Sequence, residues 1–384
     1  MDAELTCGMS HNCRMPALSL PKPVAMRPRF GRLGRSIVLA ASIPALLAGC
    51  ADTRYYWQSV SGHVLLMHAS RPVTRWLEDP NAAPPLKQRL VLSQRIRDFA
   101  VTELALPDNA SYRQYADLGR PAVVWNVVAA PELSLALHTW CFPVLGCVSY
   151  RGYFNEADAR REAEQLRVQG LEATVYGVPA YSTLGWMNWV GGDPLLNTFI
   201  AYPEGELARL IFHELAHQVL YARDDTMFNE SFATAVERLG GALWLAGPGS
   251  DAARAQFAQS DERRRAFRSL VITTRSALQA IYARSATVDA GQLRIQKAAA
   301  MQDFRDRYTV LKQGWGGYSG YDKWVAGANN ASLGAQAAYD ELVPQFEALF
   351  EREGRNWHAF YDAAKRFADL PADERRRALA ASGE

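Results

Sequence analysis

The sequence predicts an α+β chain, mostly helical, with a small mixed sheet and a helical C-terminal region. Three observations carry this. Apolar residues recur at helical spacing through 204–221 and again through 228–246. Three stretches in the middle, 122–129, 147–154 and 171–178, have the composition of strands. From about 251 to 380, charged runs carry interspersed Leu, Ile, Phe and Tyr, the pattern of packed helices with solvated outer faces. Hydrophobic residues make up 49% of the chain, enough for a substantial core.

The N-terminus reads as an export signal. Met26 to Arg35 is a basic segment, and Ser36 to Leu46 is apolar but too short for a permanent membrane span. It ends in Leu47-Ala48-Gly49-Cys50, which resembles a bacterial lipobox, where cleavage precedes a cysteine that is then acylated. Residues 1–49 are therefore expected to be a lipoprotein signal peptide and 50–384 the functional domain. Residues 1–25 precede a complete signal and read as a start-site artefact, with Met26 as initiator; Cys7 and Cys13 would then be absent from the mature chain. Ala51 is not the aspartate of inner-membrane retention, which favours the outer membrane, facing the periplasm.

Charge supports export of a neutral body. The leader holds six Lys+Arg and two Asp+Glu; without it, 36 basic residues face 38 acidic ones, a net of −2. No basic patch remains for nucleic acid. No apolar run of about 18 residues follows Cys50, so the lipid would be the only membrane attachment.

Beyond Cys50, residues 54–68 begin an ordered segment, 80–85 (PNAAPP) mark a turn and 86–105 read as a charged helix. Cys141 and Cys147 flank a turn-like stretch and are expected to form a disulfide in an oxidising compartment. Residues 155–169 form a polar-faced helix opening on Asn155, and 171–178 return as a strand. An edge strand of this kind is a place where an extended peptide can add by β-pairing. The aromatics Tyr181, Trp186 and Trp189 follow that strand; each is more readily a core residue than a pocket residue.

The chemistry is concentrated in His213-Glu214-Leu215-Ala216-His217, an H-E-x-x-H motif. Residues 204–221 contain no proline, and Leu207, Ile211, Leu215 and Val219 form a core-facing stripe. His213 and His217 fall outside it, one turn apart on one face, so two imidazoles can reach one ion. A catalytic zinc takes three protein ligands and leaves the fourth position to water, whose pKa it lowers to about 7. Glu214, beside the first histidine, is placed to take that water's proton and pass it to the leaving amine. Two lone core histidines would be the plainer reading, but histidines flanking a glutamate within an apolar helix are costly without a partner.

The third ligand is expected from the next helix. Residues 222–227 read as a turn and 228–246 as a helix, with Asn229 as its cap and a break at Gly240-Gly241. Glu230, Ala233 and Glu237 share one face, and the small residue between the carboxylates permits close approach to the histidine helix. Glu230 is favoured as ligand, with Glu237 orienting an imidazole N–H. The reverse assignment stays open, as do Asp224 and Asp225 in the turn. Glycine-rich residues 314–330 could position substrate, with Tyr318, Tyr321 or Tyr339 as a donor to the oxyanion.

With these residues in view, the chain resembles the predicted zinc aminopeptidases of Gram-negative bacteria, a group of lipoproteins. The resemblance rests on Leu47 to Cys50, CFPVLGCVSYRGYF at 141–154, the GW…DPLL block at 185–196 and HELAHQVLYARDDTMFNESFATAVE at 213–237. It extends over nearly all of residues 50–384. More broadly the HExxH plus NExxA arrangement is similar to the gluzincin peptidases. That implies a zincin-like domain holding one zinc per chain, with His213, His217 and Glu230 as ligands and Glu214 as general base. Two features depart from the broader group. Only twelve residues separate His217 from Glu230, so the intervening turn must be tight, and no G-x-M-E-N segment is present to bind a substrate's free amine.

The function expected is a lipid-anchored zinc metallopeptidase acting on peptides or envelope proteins. The competing expectation is a non-catalytic envelope binding or assembly factor with a closed structural zinc site, its fourth ligand supplied by His138 or an aspartate. A third is hydrolysis of a non-peptide amide such as a peptidoglycan cross-link.

Overall fold

A computed structural model describes residues 54–142, 146–180, 182–183, 191–338 and 341–381. Residues 1–53, with Cys7, Cys13, Met26 and Cys50 and the segment read as an export signal, lie outside the described residues, as do Tyr181, Trp186, Trp189 and Tyr339. The chain separates into Met1–Tyr55 and Tyr56–Glu384, and the second unit carries the elements that follow.

Residues 56–69 are helical (α1). Then come β1 (Arg71–Pro72), α2 (Val73–Glu78) and α3 (Pro84–Thr102), followed by β2 (Gln114–Ala116), β3 (Val124–Pro131), β4 (Trp140–Phe142), β5 (Gly146–Val148) and β6 (Arg151–Tyr153). The middle closes with α4 (Glu156–Val168), β7 (Leu171–Val178) and β8 (Leu195–Leu196). The rest is helical: α5 (Glu204–Ala216), α6 (Thr226–Ala246), α7 (Asp251–Tyr282), α8 (Ala290–Gly314), α9 (Asp322–Ala326), α10 (Asn330–Ala338), α11 (Val343–Arg352), α12 (Trp357–Ala368) and α13 (Ala372–Ala381). The mostly helical α+β class is the one the sequence predicts.

The sheet is divided into pieces. β6-β3-β7 is antiparallel, with β3 central, and β7 pairs with it from Leu171 to Val178. All of β3 except Pro131 is buried, which explains an apolar run interrupted only by Asn126 before that proline. The stretch 147–154 is not one strand. β5 pairs with β4 in a hairpin that sets Cys141 opposite Cys147, and the two are disulfide-bonded. Ser149 and Tyr150 then carry the chain to β6, which pairs with β3. The third piece, β1-β2-β8, has strands of two or three residues, too short to show a period in the sequence.

Two helix ends differ from expectation. α5 stops at Ala216, with His217 as its C-cap; Gln218 and Val219 donate to Leu215 and Ala216 carbonyls, which tightens the chain into the turn toward α6. α6 is capped by Asp225, whose side chain accepts from Phe228 N at 3.1 Å, and not by Asn229. Asn229 instead donates to Ala222 O and accepts from Ala222 N, both at 2.8 Å, and so pins the connecting turn. Nor does α6 break at Gly240-Gly241. A Cβ on Gly240 would come within 2.6 Å of Leu104 Cδ1, and one on Gly241 within 2.6 Å of Arg209 Cγ. The glycines are there to let α6 lie close against its neighbours, at a cost of about 1 kcal/mol each in helix propensity.

The main core joins α3, α5, α6 and α11 to α13 through Phe212, Phe228, Phe232, Phe346 and Phe360, all fully buried. A second cluster is built on α7 and α8, with Phe267 stacked on Tyr321 at 4.0 Å. The C-terminus is tied to the start of α6 by Arg375, whose Nη1 lies 2.7 Å from Asp225 Oδ2; the side chains are 5% and 1% exposed. Removing one partner strands a buried charge, a loss of roughly 3–5 kcal/mol for such pairs. Arg376, 3.8 Å from the other oxygen, offsets part of that. Arg375→Ala is expected to lower unfolding stability by about 3 kcal/mol, read as a shifted urea midpoint at unchanged slope.

Candidate metal centre

The packing of α5 against α6 brings three donors together. His213 Nε2 and His217 Nε2 are 3.1 Å apart, and Glu230 Oε2 lies 3.4 Å from the first and 3.7 Å from the second. The three side chains are only 10–12% exposed. A tetrahedral ion with bonds of about 2.0–2.1 Å sets its ligand atoms about 3.3 Å apart. The observed separations straddle that value, and two imidazoles with one carboxylate suit a divalent metal with a ligand position to spare. These residues could hold a metal ion.

Glu237, two turns beyond Glu230 on α6, stands behind the histidines. Its Oε2 is 3.0 Å from His213 Nδ1, while Arg209 donates to Oε1 from the preceding turn of α5. Metal-binding imidazoles are commonly fixed through their second nitrogen in this way. Burial alone would raise the Glu237 carboxyl, but Arg209 and His213 outweigh it and hold it down at about 2. Glu230 shows the same competition: burial opposes ionisation, and His217 and His213 hold it well below the carboxylate range. Burial would lower His213, yet Glu230 and Glu237 raise it well above the usual imidazole value. Glu237→Gln is expected to weaken metal affinity roughly 10- to 100-fold without unfolding the protein, measured by competition with a chelating dye.

The alternatives for the third donor are otherwise engaged. Asp225 caps α6 and pairs with Arg375. Asp224 is half-exposed and accepts from Cys147 N, tying the disulfide hairpin to the turn. His138 packs edge-on against Trp140 and is not in the donor group, so a fourth protein ligand is not found among the described residues. Tyr321 packs on Phe267 in the α7–α8 cluster, and Tyr318 stands exposed beside it with Arg263 over its ring.

Other residues surround the centre that the sequence did not single out. Tyr150 sits between β5 and β6; burial raises its phenol well above the usual value, and Glu230 and Glu214 add to the shift. Tyr176 on β7 and Tyr221 in the α5–α6 turn are also raised by burial and by Glu230. On the other side Asp193 is buried; desolvation pushes it up to about 6 against hydrogen bonds from Thr183, with Glu214 adding to the rise. Gln218 bridges Asp193 Oδ2 and Ser111 Oγ at 3.4 and 3.1 Å, which braces the end of α5. Glu214 itself is raised by burial, against the pull of His213 and His217.

A family model described as "Putative aminopeptidase" matches residues 54–379. The chain belongs to that family. Membership in the aminopeptidase family supports a peptidase at the level of reaction class, and the matched span contains the whole α5–α6 centre. No curated protein and no solved structure matches the chain.

Proposed function

We propose that this protein is a zinc-dependent peptidase of the aminopeptidase family, exported and held at the cell envelope by a lipid on Cys50. The observation that carries the reading is the convergence of His213, His217 and Glu230 with Glu214 on the same helical turn. His213, His217 and Glu230 would hold the zinc, and Glu237 would fix the His213 ring through Nδ1. When bound, zinc supplies Lewis acidity toward a carbonyl oxygen and acidifies a water at its open position.

The remaining steps fall to the chain. Glu214, raised by burial, is the better proton acceptor for it, and takes a proton from the attacking water. As the C–N bond breaks, the same carboxyl returns the proton to the amine nitrogen. Tyr150 keeps its proton at neutral pH and offers a phenolic donor on the Glu230 side of the centre. β7 is an edge strand of its sheet, and we assign it the pairing of extended peptide.

The lipid anchor rests on Leu47 to Cys50. The cell-envelope assignment also agrees with the Cys141–Cys147 disulfide. The test is chelation: removal of metal is expected to abolish peptide hydrolysis while circular dichroism is retained, and zinc is expected to restore it. Unfolding on chelation would mean a structural metal instead.

A further inference from the structure

We infer that the cavity at the start of α6 is the substrate-specificity pocket, and that it takes a peptide segment bearing a large uncharged apolar side chain. The inference rests on the metallopeptidase reading and adds the substrate class. The cavity measures about 760 Å³ and lies between the loop after β3, α7 and the first turn of α6. Leu133, Leu135, Leu137 and Met227 give it an apolar lining, with Arg275 and Glu341 as its charged members. Its size falls within the roughly 300–1,000 Å³ of small-ligand pockets.

Two independent chain segments join the cavity to the metal centre. Thr226 and Met227 line it, and they precede Glu230 by four and three residues on the same helix. Residues so spaced share a face, with Cβ atoms about 5–6 Å apart. Helical side chains also tilt toward the N-terminus, so Glu230 leans toward the two lining residues. On the opposite wall Ser149 lines the cavity, and Tyr150 beside it is acted on electrostatically by both Glu230 and Glu214. The Thr226–Met227 wall of the cavity therefore lies within about one helical turn of Glu230.

The lining specifies the occupant. Arg275 Nη2 and Glu341 Oε2 are 3.8 Å apart, so the two charges oppose each other and neither a carboxylate nor an ammonium is selected. What is left for recognition is the half-buried leucine and methionine surface beside uncharged polar side chains, among them Ser134, Ser149, Thr226 and Gln279. The wall is held firmly as well. A Cβ on Gly334 of α10 would come within 2.7 Å of Leu135 O and 2.9 Å of Leu137 Cδ2, so helix and loop are already in close contact.

Amino-acid hydroxamates test this without turnover, since the hydroxamate group engages the metal and the side chain reports the pocket. Zinc-loaded protein is titrated by calorimetry with glycine hydroxamate and with phenylalanine hydroxamate. Phenylalanine hydroxamate is expected to bind at least about tenfold tighter. Met227→Trp, which fills the cavity, is expected to collapse that ratio to about threefold or less; Ala136→Trp, on the exposed loop of the same cavity, serves if Met227→Trp does not fold. Equal binding of the two hydroxamates, or a ratio untouched by the filled cavity, overturns the pocket and leaves the metal reading standing. Failure to retain zinc, with neither hydroxamate bound, overturns both.

Discussion

Glu214→Gln is expected to lower peptide hydrolysis by roughly 10²- to 10⁴-fold, the range for loss of a positioned general acid–base group, while the metal stays bound. The amide keeps the size and helical position of the carboxylate but cannot accept a proton from water. Because Glu214 is not among the three converging donors, its removal leaves the ligand set intact. The fall should appear in kcat with KM nearly constant, since the group acts in the transition state. Turnover at the wild-type level would show that the proton goes elsewhere.

His217→Ala has the largest expected effect on the metal. It removes one of three donors and leaves Glu230 with a single imidazole partner in a buried site. Affinity should fall by more than the roughly 100-fold upper range for residues that only orient a ligand. The pH dependence has a definite sign. In the metal-free protein burial lowers His213, but Glu230 and Glu237 outweigh it and raise the ring above the usual imidazole value, which favours its protonated form. Metal binding must expel that proton, and affinity therefore declines as pH falls. Calorimetry in two buffers of different ionisation enthalpy would read about one proton released per ion; no release would show that His213 is already neutral.

The centre was legible because its chemistry obeys helical spacing. His213 and His217 at i and i+4, and Glu230 and Glu237 two turns apart, could be placed before any coordinates. Arg209, one turn before His213, follows the same rule and could have been found as a charge within an apolar face. Long-range packing was not legible. Gly240-Gly241 resembles a break, and only the contact with Leu104 and Arg209 shows why a helix runs through it. Asn229 has the right type for a cap, but Asp225, four residues earlier, holds that place because Arg375 from the far end of the chain meets it there. Tyr321 packs into the α7–α8 cluster with Tyr318 exposed beside it, while Tyr150 comes near the centre through a change of strand partner that no local pattern reveals.

Metal content is the most direct test of the account. Protein purified without a metal-binding tag, exchanged into metal-free buffer and analysed by mass spectrometry, is expected to hold about one zinc per chain and to lose it in His217→Ala. Protein that carries no metal, and fails to retain zinc after it is added back, would make the three converging side chains a buried polar cluster and the hydrolase reading wrong.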